Sequence, residues 1–459
     1  MLTNRENTLI EGALKIEDVI AATGGHAICS DARAFSGVSI DSRSIRKGEL
    51  FIALKGTRFD GHDFLQEALK IGSGAIVTFH FSEQIEGKTI ISVEDTLNAL
   101  HRIARYMRIK RAIPLVGVTG SNGKTTTKEL IASVLGATYR VLKNAGNLNN
   151  QIGLPLSLAG IDENDEAAVL EMGASVPGDI QELCEVALPD YGVLTNLSPS
   201  HLEGFKDMET LRRTKLEILK YVRLAIVNAD DSFLMEGVHA SGFKGKIVRY
   251  GINNDAEIYA TDIKLHEKGS HFLLHIGKET YSEVHPKISG MFNIYNILAA
   301  VSVGYIFHIE LEKIKNVIDS FESIPMRFEV KNINGIQIIS DVYNANPASM
   351  EEALKELIRL RGKRAIAVLG DMLELGSYAN DSHRGLVRWM SGLPVDIFIA
   401  IGPLMSSAAS EFSGKVYTFR NSLEAGEIIK NICKKGDTLL IKGSRGMRME
   451  RVLETSDVI

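Results

Sequence analysis

The sequence predicts a multi-domain α/β protein built on parallel sheets, and three observations predict it. At 459 residues the chain exceeds the size at which one hydrophobic core keeps growing, so several domains are expected. Short apolar, β-branched runs recur with helix-length stretches between them, the pattern of parallel strands joined by crossover helices. These runs end in polar or glycine-rich residues, Thr119, Glu171, Asn196 and Asn228 among them, which places binding chemistry along one edge of a sheet.

In chain order, the first block runs to about residue 108. It mixes strands such as Leu50–Leu54 and Ala75–Phe79 with turns at Gly48, Gly56 and Gly61. The second block, 109–323, opens on the strand Ile113–Val118 and continues with Ala167–Leu170, Tyr191–Leu194 and Leu224–Val227. Its longest apolar stretch, Ile297–Phe307, is about half of the roughly 20 residues that span a bilayer and reads as a buried helix. The third block, 324–459, begins near Ile324-Pro325. Its strands are Ile336–Ser340 before Asp341, Ala365–Leu369 before Gly370-Asp371, and Thr438–Ile441 before Lys442-Gly443. Between the first two, a helix starts at Pro347 and carries an apolar stripe of Met350, Ala353, Leu354, Leu357 and Ile358 before Gly362 closes it. The expected architecture is a central parallel-sheet domain of the P-loop type, flanked by an N-terminal domain and a C-terminal Rossmann-like α/β domain.

With 45% hydrophobic and 24% charged residues, the composition is that of an ordinary soluble globular protein. Lys and Arg total 52 against 57 Asp and Glu, a formal charge of -5 that argues against nucleic acid as a partner. The three cysteines, Cys29, Cys184 and Cys433, lie far apart and have no metal-ligand spacing, so disulfides are not expected and a reducing cytoplasm fits. Met1 to Glu11 carries Arg and Glu where a secretion signal needs an apolar run. A cytoplasmic monomer without stable membrane insertion is expected.

The strongest local signal is Gly117-Val118-Thr119-Gly120-Ser121-Asn122-Gly123-Lys124-Thr125-Thr126-Thr127, between a strand and a helical pattern with Leu130, Ile131, Val134 and Leu135. Glycines let backbone N–H groups turn inward around phosphate oxygens, and the following helix presents its positive end. Gly120 to Thr126 is therefore the expected ATP site, with Lys124 reaching the terminal phosphates and Thr125 on Mg²⁺. The alternative is a purely structural strand-to-helix turn. Val118 stands where the standard phosphate loop has its first glycine.

Further motifs extend along nearly the whole chain. They include Ile40-Asp41-Ser42-Arg43, Gly48 to Gly56 and Phe59 to Phe64 in the first block. The second adds Asn144 to Leu156, Glu171-Met172-Gly173 and Asn196 to Leu202; the third adds Asp341 to Pro347, Leu369 to Gly376 and Lys442 to Met447. With the Val118 spelling of the glycine loop, this set resembles the Mur ligase family, most closely the branch that adds D-Ala-D-Ala to UDP-MurNAc-tripeptide. The resemblance implies an ATP- and Mg²⁺-dependent peptide ligase of peptidoglycan precursor synthesis, with UDP-MurNAc-tripeptide and D-Ala-D-Ala as substrates. It implies that residues 1–108, with Ser42 and Arg43, hold the uridine diphosphate end, and that Asn147, Asn149 and Asn150 belong to a substrate loop. It implies adenine contact by Asn293 and Asn296, ribose contact by Arg327 and Asp341, and a dipeptide site at Tyr343, Asn344 and Asn346. Glu171 and His201 would hold metal beside the phosphates, joined by a carbamylated Lys215. Two departures are visible: Phe292 stands where members often have histidine, and Ser340 where the Asp341 motif usually has a first aspartate.

On residue type alone, blander readings stand beside these. Glu171 is also a plausible solvated strand-end acid, His201 a structural histidine, Arg43 a surface ion-pair residue, and Asn344 and Asn346 turn and helix-cap residues. Lys215, in a charged stretch, reads as an exposed helix lysine, Asp371 and Glu374 as surface acids, and Cys184 as buried filler. Competing functions are another amide ligase of the same superfamily and a nucleotide-binding switch or transport ATPase. Because the expected site draws on the second and third blocks, it is expected to open and close between them.

Overall fold

The computed structural model describes residues 14–78, 85–277 and 280–454. Met1–Glu11 and Phe79, at the end of one expected strand, lie outside them. Three large sheets follow one another along the chain.

The first comprises β1 (His26–Cys29), β2 (Val38–Ser39), β3 (Leu50–Ile52), β4 (Gly74–Thr78) and β5 (Thr89–Val93), in the order β1-β5-β4-β3-β2. All pairs are parallel except β1 with β5. The helix α1 (Thr96–Arg111) then leads into the central unit. Its buried face, Leu100, Ile103 and Met107, shares a core with Leu154, Leu158 and Ile180. Buried Arg108 donates to the carbonyls of Ala187 (2.9 Å) and Leu188 (3.1 Å) and pairs with Asp190 at 2.9 Å. The expected boundary between residues 108 and 109 thus falls inside a helix that struts both units.

The central sheet contains β6 (Leu115–Thr119), β7 (Val141–Lys143), β8 (Ala167–Glu171), β9 (Tyr191–Leu194), β10 (Leu224–Asn228), β11 (Lys246–Gly251), β12 (Ile258–Leu265), β13 (Ser270–Ile276) and β14 (Thr280–Val284). Its order is β14-β13-β12-β11-β10-β9-β6-β8-β7, parallel from β7 to β12 and antiparallel over the last two pairs. β6 is wholly buried and lies between β8 and β9, so the chain leaves it toward β7 and returns on both sides, creating a crevice at the carboxyl ends. The helices α2 (Lys124–Gly136) and α3 (Met291–Ile306) pack together on this sheet, Leu130 and Val134 against Ile297 and Val301. The apolar stretch read as a buried helix is α3.

The third sheet comprises β15 (Glu329–Ile333), β16 (Ile336–Asp341), β17 (Ala365–Gly370), β18 (Ile397–Ile401), β19 (Lys415–Phe419) and β20 (Thr438–Lys442), ordered β15-β16-β20-β17-β18-β19. Only β15 is antiparallel. The helix α4 (Pro347–Arg359) starts at Pro347 as expected, behind a capping box of Asn346 and Ser349. It ends at Arg359 with Leu360 as its cap, short of Gly362, which instead packs against the Gly436 carbonyl.

Candidate active site

The glycine loop is closely packed. Gly120 (φ 140°) and Gly123 (φ 79°) adopt backbone conformations that disfavour a side chain. A Cβ on Gly120 would lie 2.0 Å from Thr195 Oγ1, and one on Gly123 2.4 Å from Asn296 Oδ1. The segment after β9 braces the loop: Ser121 Oγ donates to the Ser198 carbonyl (2.8 Å) and the Asn122 N–H to Asn196 Oδ1 (3.0 Å). Lys124 Nζ folds over its own loop, donating to the carbonyls of Gly120 and Ser121 at 3.0 Å each. Burial holds its ammonium below the usual lysine range, Arg327 adds to the effect and Glu171 opposes it. Asn296 Nδ2 donates to Asn293 Oδ1 (3.1 Å) and Thr127 Oγ1 to Asn296 Oδ1 (3.1 Å), fixing both asparagines beside the loop.

Glu171, the last residue of β8, is 2% exposed and so is no solvated acid. Asn149 Nδ2 donates to its Oε1 at 2.7 Å, while Oε2 is buried with no hydrogen-bond partner among the described residues. An ionised oxygen in that state needs a cation. His201 lies in the left-handed region (φ 52°), a strain of about 1–2 kcal/mol for an L residue. Its Nδ1 stands 2.5 Å from Glu374 Oε2 yet out of hydrogen-bond alignment, and it holds the Glu374 carboxyl below the usual range. Lys215 corrects the exposed-lysine reading: it is 1% exposed, with Nζ 3.4 Å from the Ala174 carbonyl and 5.7 Å from the Phe205 ring centroid. Burial, then Lys124, push its amine well below the usual lysine range against the pull of Asp179, Glu171 and Glu217.

The third unit closes the cleft from above. Asp341 and Lys442 end the adjacent strands β16 and β20 opposite one another and form an ion pair, with Lys442 also donating to the Asn344 carbonyl at 3.0 Å. The Arg327 guanidinium lies 3.6 Å over the Tyr343 ring centroid and donates to Thr125 Oγ1 at 2.9 Å. Asn346 caps α4 and also bonds Asn122 of the glycine loop, Nδ2 to Oδ1 at 2.7 Å. Phe292 meets Phe328 of the third unit edge-on, centroids 5.0 Å apart, an apolar contact where a histidine is usual. The two units therefore touch, through a few polar contacts and one aromatic pair. Asp371 corrects the surface-acid reading: it is 2% exposed and accepts the Met405 N–H at 2.7 Å.

One cleft of about 1220 Å³ is lined by Ser121 to Thr126, Glu171, His201, Asn293, Asn296, Arg327 and Asp341. Asn147, Asn149 and Asn150 reach it from the side, and Tyr343, Asn344 and Asn346 from the third unit. Gly120 and Lys215 lie just outside the lining, behind Ser121 and Ala174. Ser42 and Arg43 are not brought into it. Ser42 Oγ donates to Glu67 Oε2 at 3.2 Å, and the exposed Arg43 makes a bidentate pair with Asp41 at 2.9 and 2.7 Å.

Behind the cleft, Lys128 escaped the sequence reading, and Asn144 entered it only as the start of a motif. Lys128, 0% exposed, donates to the Asn144 carbonyl at 2.6 Å and pairs with Glu129 at 2.8 Å. The Asn144 side chain accepts the Glu171 N–H (2.9 Å) and donates to the carbonyls of Glu171 (3.1 Å) and Leu148 (2.7 Å). This pair ties the helix after the glycine loop to the strand end that carries Glu171. A signal existed: Lys128 lies three and seven residues before Ile131 and Leu135, inside the apolar stripe of α2.

Among known proteins, the Mur ligase family catalytic domain matches residues 34–108, the Mur ligase middle domain 118–304 and the Mur ligase glutamate ligase domain 326–445. The UDP-N-acetylmuramoyl-tripeptide--D-alanyl-D-alanine ligase of Bacillus subtilis (strain 168) is 35% identical over 428 residues, 91% of this chain and 92% of the relative. A crystal structure of MurF from Acinetobacter baumannii superposes with a TM-score of 0.89 at 29% identity, covering 97% of this chain and 98% of that one. The MurF ligase from Thermotoga maritima in complex with ADP gives 0.81 at 31% identity, covering 92% and 97%.

Proposed function

Because this chain belongs to the Mur ligase family, we propose that it is the ATP-dependent ligase joining D-Ala-D-Ala to UDP-MurNAc-tripeptide. The products are UDP-MurNAc-pentapeptide, ADP and phosphate, in cytoplasmic peptidoglycan precursor synthesis, with the chain acting as a monomer. The observation that carries the reading is the unpartnered, buried Glu171 oxygen in the same cleft as the glycine loop and the Tyr343–Asn346 segment.

The tripeptide carboxylate attacks the γ-phosphorus of ATP; the new O–P bond forms as the bond to the β-phosphate oxygen breaks and ADP leaves. The dipeptide amine then attacks the acyl carbon, loses its proton, and phosphate departs from the tetrahedral intermediate. Crowded negative charge is the main barrier, so fixed cations and N–H donors carry the catalysis. Gly120 to Thr126 cradle the phosphates, and Lys124, already desolvated, turns from its own carbonyls to the transferring group. Asn293 and Asn296 hold adenine, and Arg327 and Asp341 hold the ribose. Tyr343, Asn344 and Asn346 face D-Ala-D-Ala, while the first domain, with Ser42 and Arg43, holds the UDP end. Domain ranges of 1–108, 109–323 and 324–459 belong to the same reading.

The oxygen donors fit Mg²⁺: the free Glu171 oxygen, Thr125 Oγ1 and Lys215 once carbamylated would hold it, with His201 beside them in the cleft. Bound there, the ion neutralises charge on the phosphoryl oxygens.

Phosphate release should be measured with UDP-MurNAc-tripeptides carrying lysine or meso-diaminopimelate, each with and without D-Ala-D-Ala. Release is expected only with both substrates present. Turnover without an acyl acceptor would mark a nucleotide switch, and a single amino acid replacing the dipeptide would mark another ligase branch.

A further inference from the structure

We propose that the outer face of the β13–β14 hairpin is a second metal site, distinct from the cleft, which takes a divalent transition ion such as Zn²⁺ on His271, Glu283 and His285. The two strands pair antiparallel with Phe272 opposite Val284 and Leu273 opposite Glu283. Phe272, Leu274 and Val284 are 0% exposed and fill the core side. Alternation along each strand then turns His271 and Glu283 to the other face, and His285, directly after β14, joins them by stacking on His271. His271 and His285 stack, ring centroids 4.5 Å apart and planes 12° from parallel. One donor atom from each of the three residues lies within 4.8 Å of the other two.

Their surroundings favour a ligand role over an internal one. Among the described residues no hydrogen bond engages either imidazole or the Glu283 carboxylate, although the three lie side by side. Asp319, on the helix Leu311–Ser320 packed against β14, accepts the backbone N–H of His285 at 2.6 Å and pairs with Lys315 at 2.5 Å. Lys264, opposite His271 on β12, is the cationic neighbour, and Lys287 beyond the strand end is paired with Glu322. Two imidazole nitrogens and one carboxylate oxygen, with room for water, form the donor set of an open zinc site. Zn–N bonds of about 2.0–2.1 Å require donors about 3.4 Å apart, within reach of small χ rotations by half-exposed side chains. Imidazole donors select Zn²⁺, Ni²⁺ or Cu²⁺ over Mg²⁺, which prefers oxygen, so the site does not compete for the cleft ion. None of the three residues lines the cleft. Since β14 is an edge strand, an ion bridging it to β13 acts as a clip on the open end of the nine-stranded sheet.

The test is calorimetric titration of the whole protein with Zn²⁺, in millimolar Mg²⁺ and saturating ADP to keep the cleft ligands engaged. Wild type should bind one equivalent that the His271→Ala/His285→Ala variant loses or binds at least about tenfold more weakly, since removing even an outer partner costs about that much. Glu283→Gln should fall between them. Metal-free thermal midpoints of all three proteins should coincide, because the side chains changed are on the outer face. Zinc binding of equal stoichiometry and affinity in the double variant, no binding by wild type, or displacement by Mg²⁺ would each overturn the proposal.

Discussion

Lys215 offers the sharpest test of the proposed chemistry. Its side chain is 1% exposed, with Nζ 3.4 Å from the Ala174 carbonyl and near the Phe205 ring. Burial, and after it the Lys124 charge, lower its pKa well below the usual lysine range, which favours the neutral amine. A neutral amine reacts with CO₂ to give a carbamate and a proton, which would place a carboxylate on a long stem near Glu171. Two substitutions separate fold from function. Lys215→Met keeps the apolar stem and removes the amine, and should leave the thermal midpoint unchanged or raise it. Both Lys215→Met and Lys215→Ala should lose at least about 100-fold in turnover, because a metal ligand is gone. Short carboxylic acids should partly restore Lys215→Ala by filling the vacancy. In ¹³C-bicarbonate, wild type should give a protein-bound carbamate signal that both variants lack.

The pH dependence has a definite sign. With the folded pKa depressed, the unfolded chain binds a proton that the folded chain refuses. The lysine's burial penalty is therefore complete below the folded pKa and fades as pH rises toward about 10.4. Degassing at mildly acid pH should reduce activity, and bicarbonate at neutral pH should restore it. Full activity in Lys215→Ala, or an active enzyme without the carbamate signal, would refute the reasoning.

Lys124→Ala should lower turnover by about 10³-fold or more while the protein stays folded, and a folded variant keeping over about a tenth of wild-type activity would reject the phosphate clamp. Arg43→Ala should weaken the UDP-substrate more than ATP in binding titrations; equal losses would contradict the assignment of the first domain. Asn144→Ala removes the three side-chain hydrogen bonds at the Glu171 strand end, a loss of about 3 kcal/mol at about 1 kcal/mol each, so the melting midpoint and kcat should both fall. The second and third units meet through few contacts, so solution scattering should show the particle shrinking when nucleotide and UDP-substrate are added together; an unchanged radius with full activity would exclude closure.

Much of this was legible because a buried parallel strand is an apolar run that must stop where its edge meets solvent or ligand. The expected strands at Ala167, Leu224, Ile336 and Thr438 begin where they should, and each runs one residue further than expected. The extra residue is Glu171, Asn228, Asp341 or Lys442, polar yet still laddered into the sheet. The antiparallel extension β12–β14 was missed because one face of it is solvated, so Ile258–Leu265 alternates and has no continuous apolar run.

Charged burial was the harder problem, and the two lysines near the cleft show why it matters. Lys128 and Lys215 are 0% and 1% exposed, and nothing in their neighbouring residues separates them. The carbonyls they reach, of Asn144 and Ala174, lie 16 and 41 residues away, which local sequence does not encode. Lys128 has a 2.6 Å bond to Asn144 and an ion pair with Glu129, so its charge is compensated and its task is to hold Glu171 in place. Among the described residues Lys215 has no ion-pair partner, and Lys124 disfavours its charged form. Burial without an ion-pair partner disfavours a lysine's charged form and so favours its neutral amine. The proposed carbamylation of Lys215 rests on that missing partner as much as on its burial.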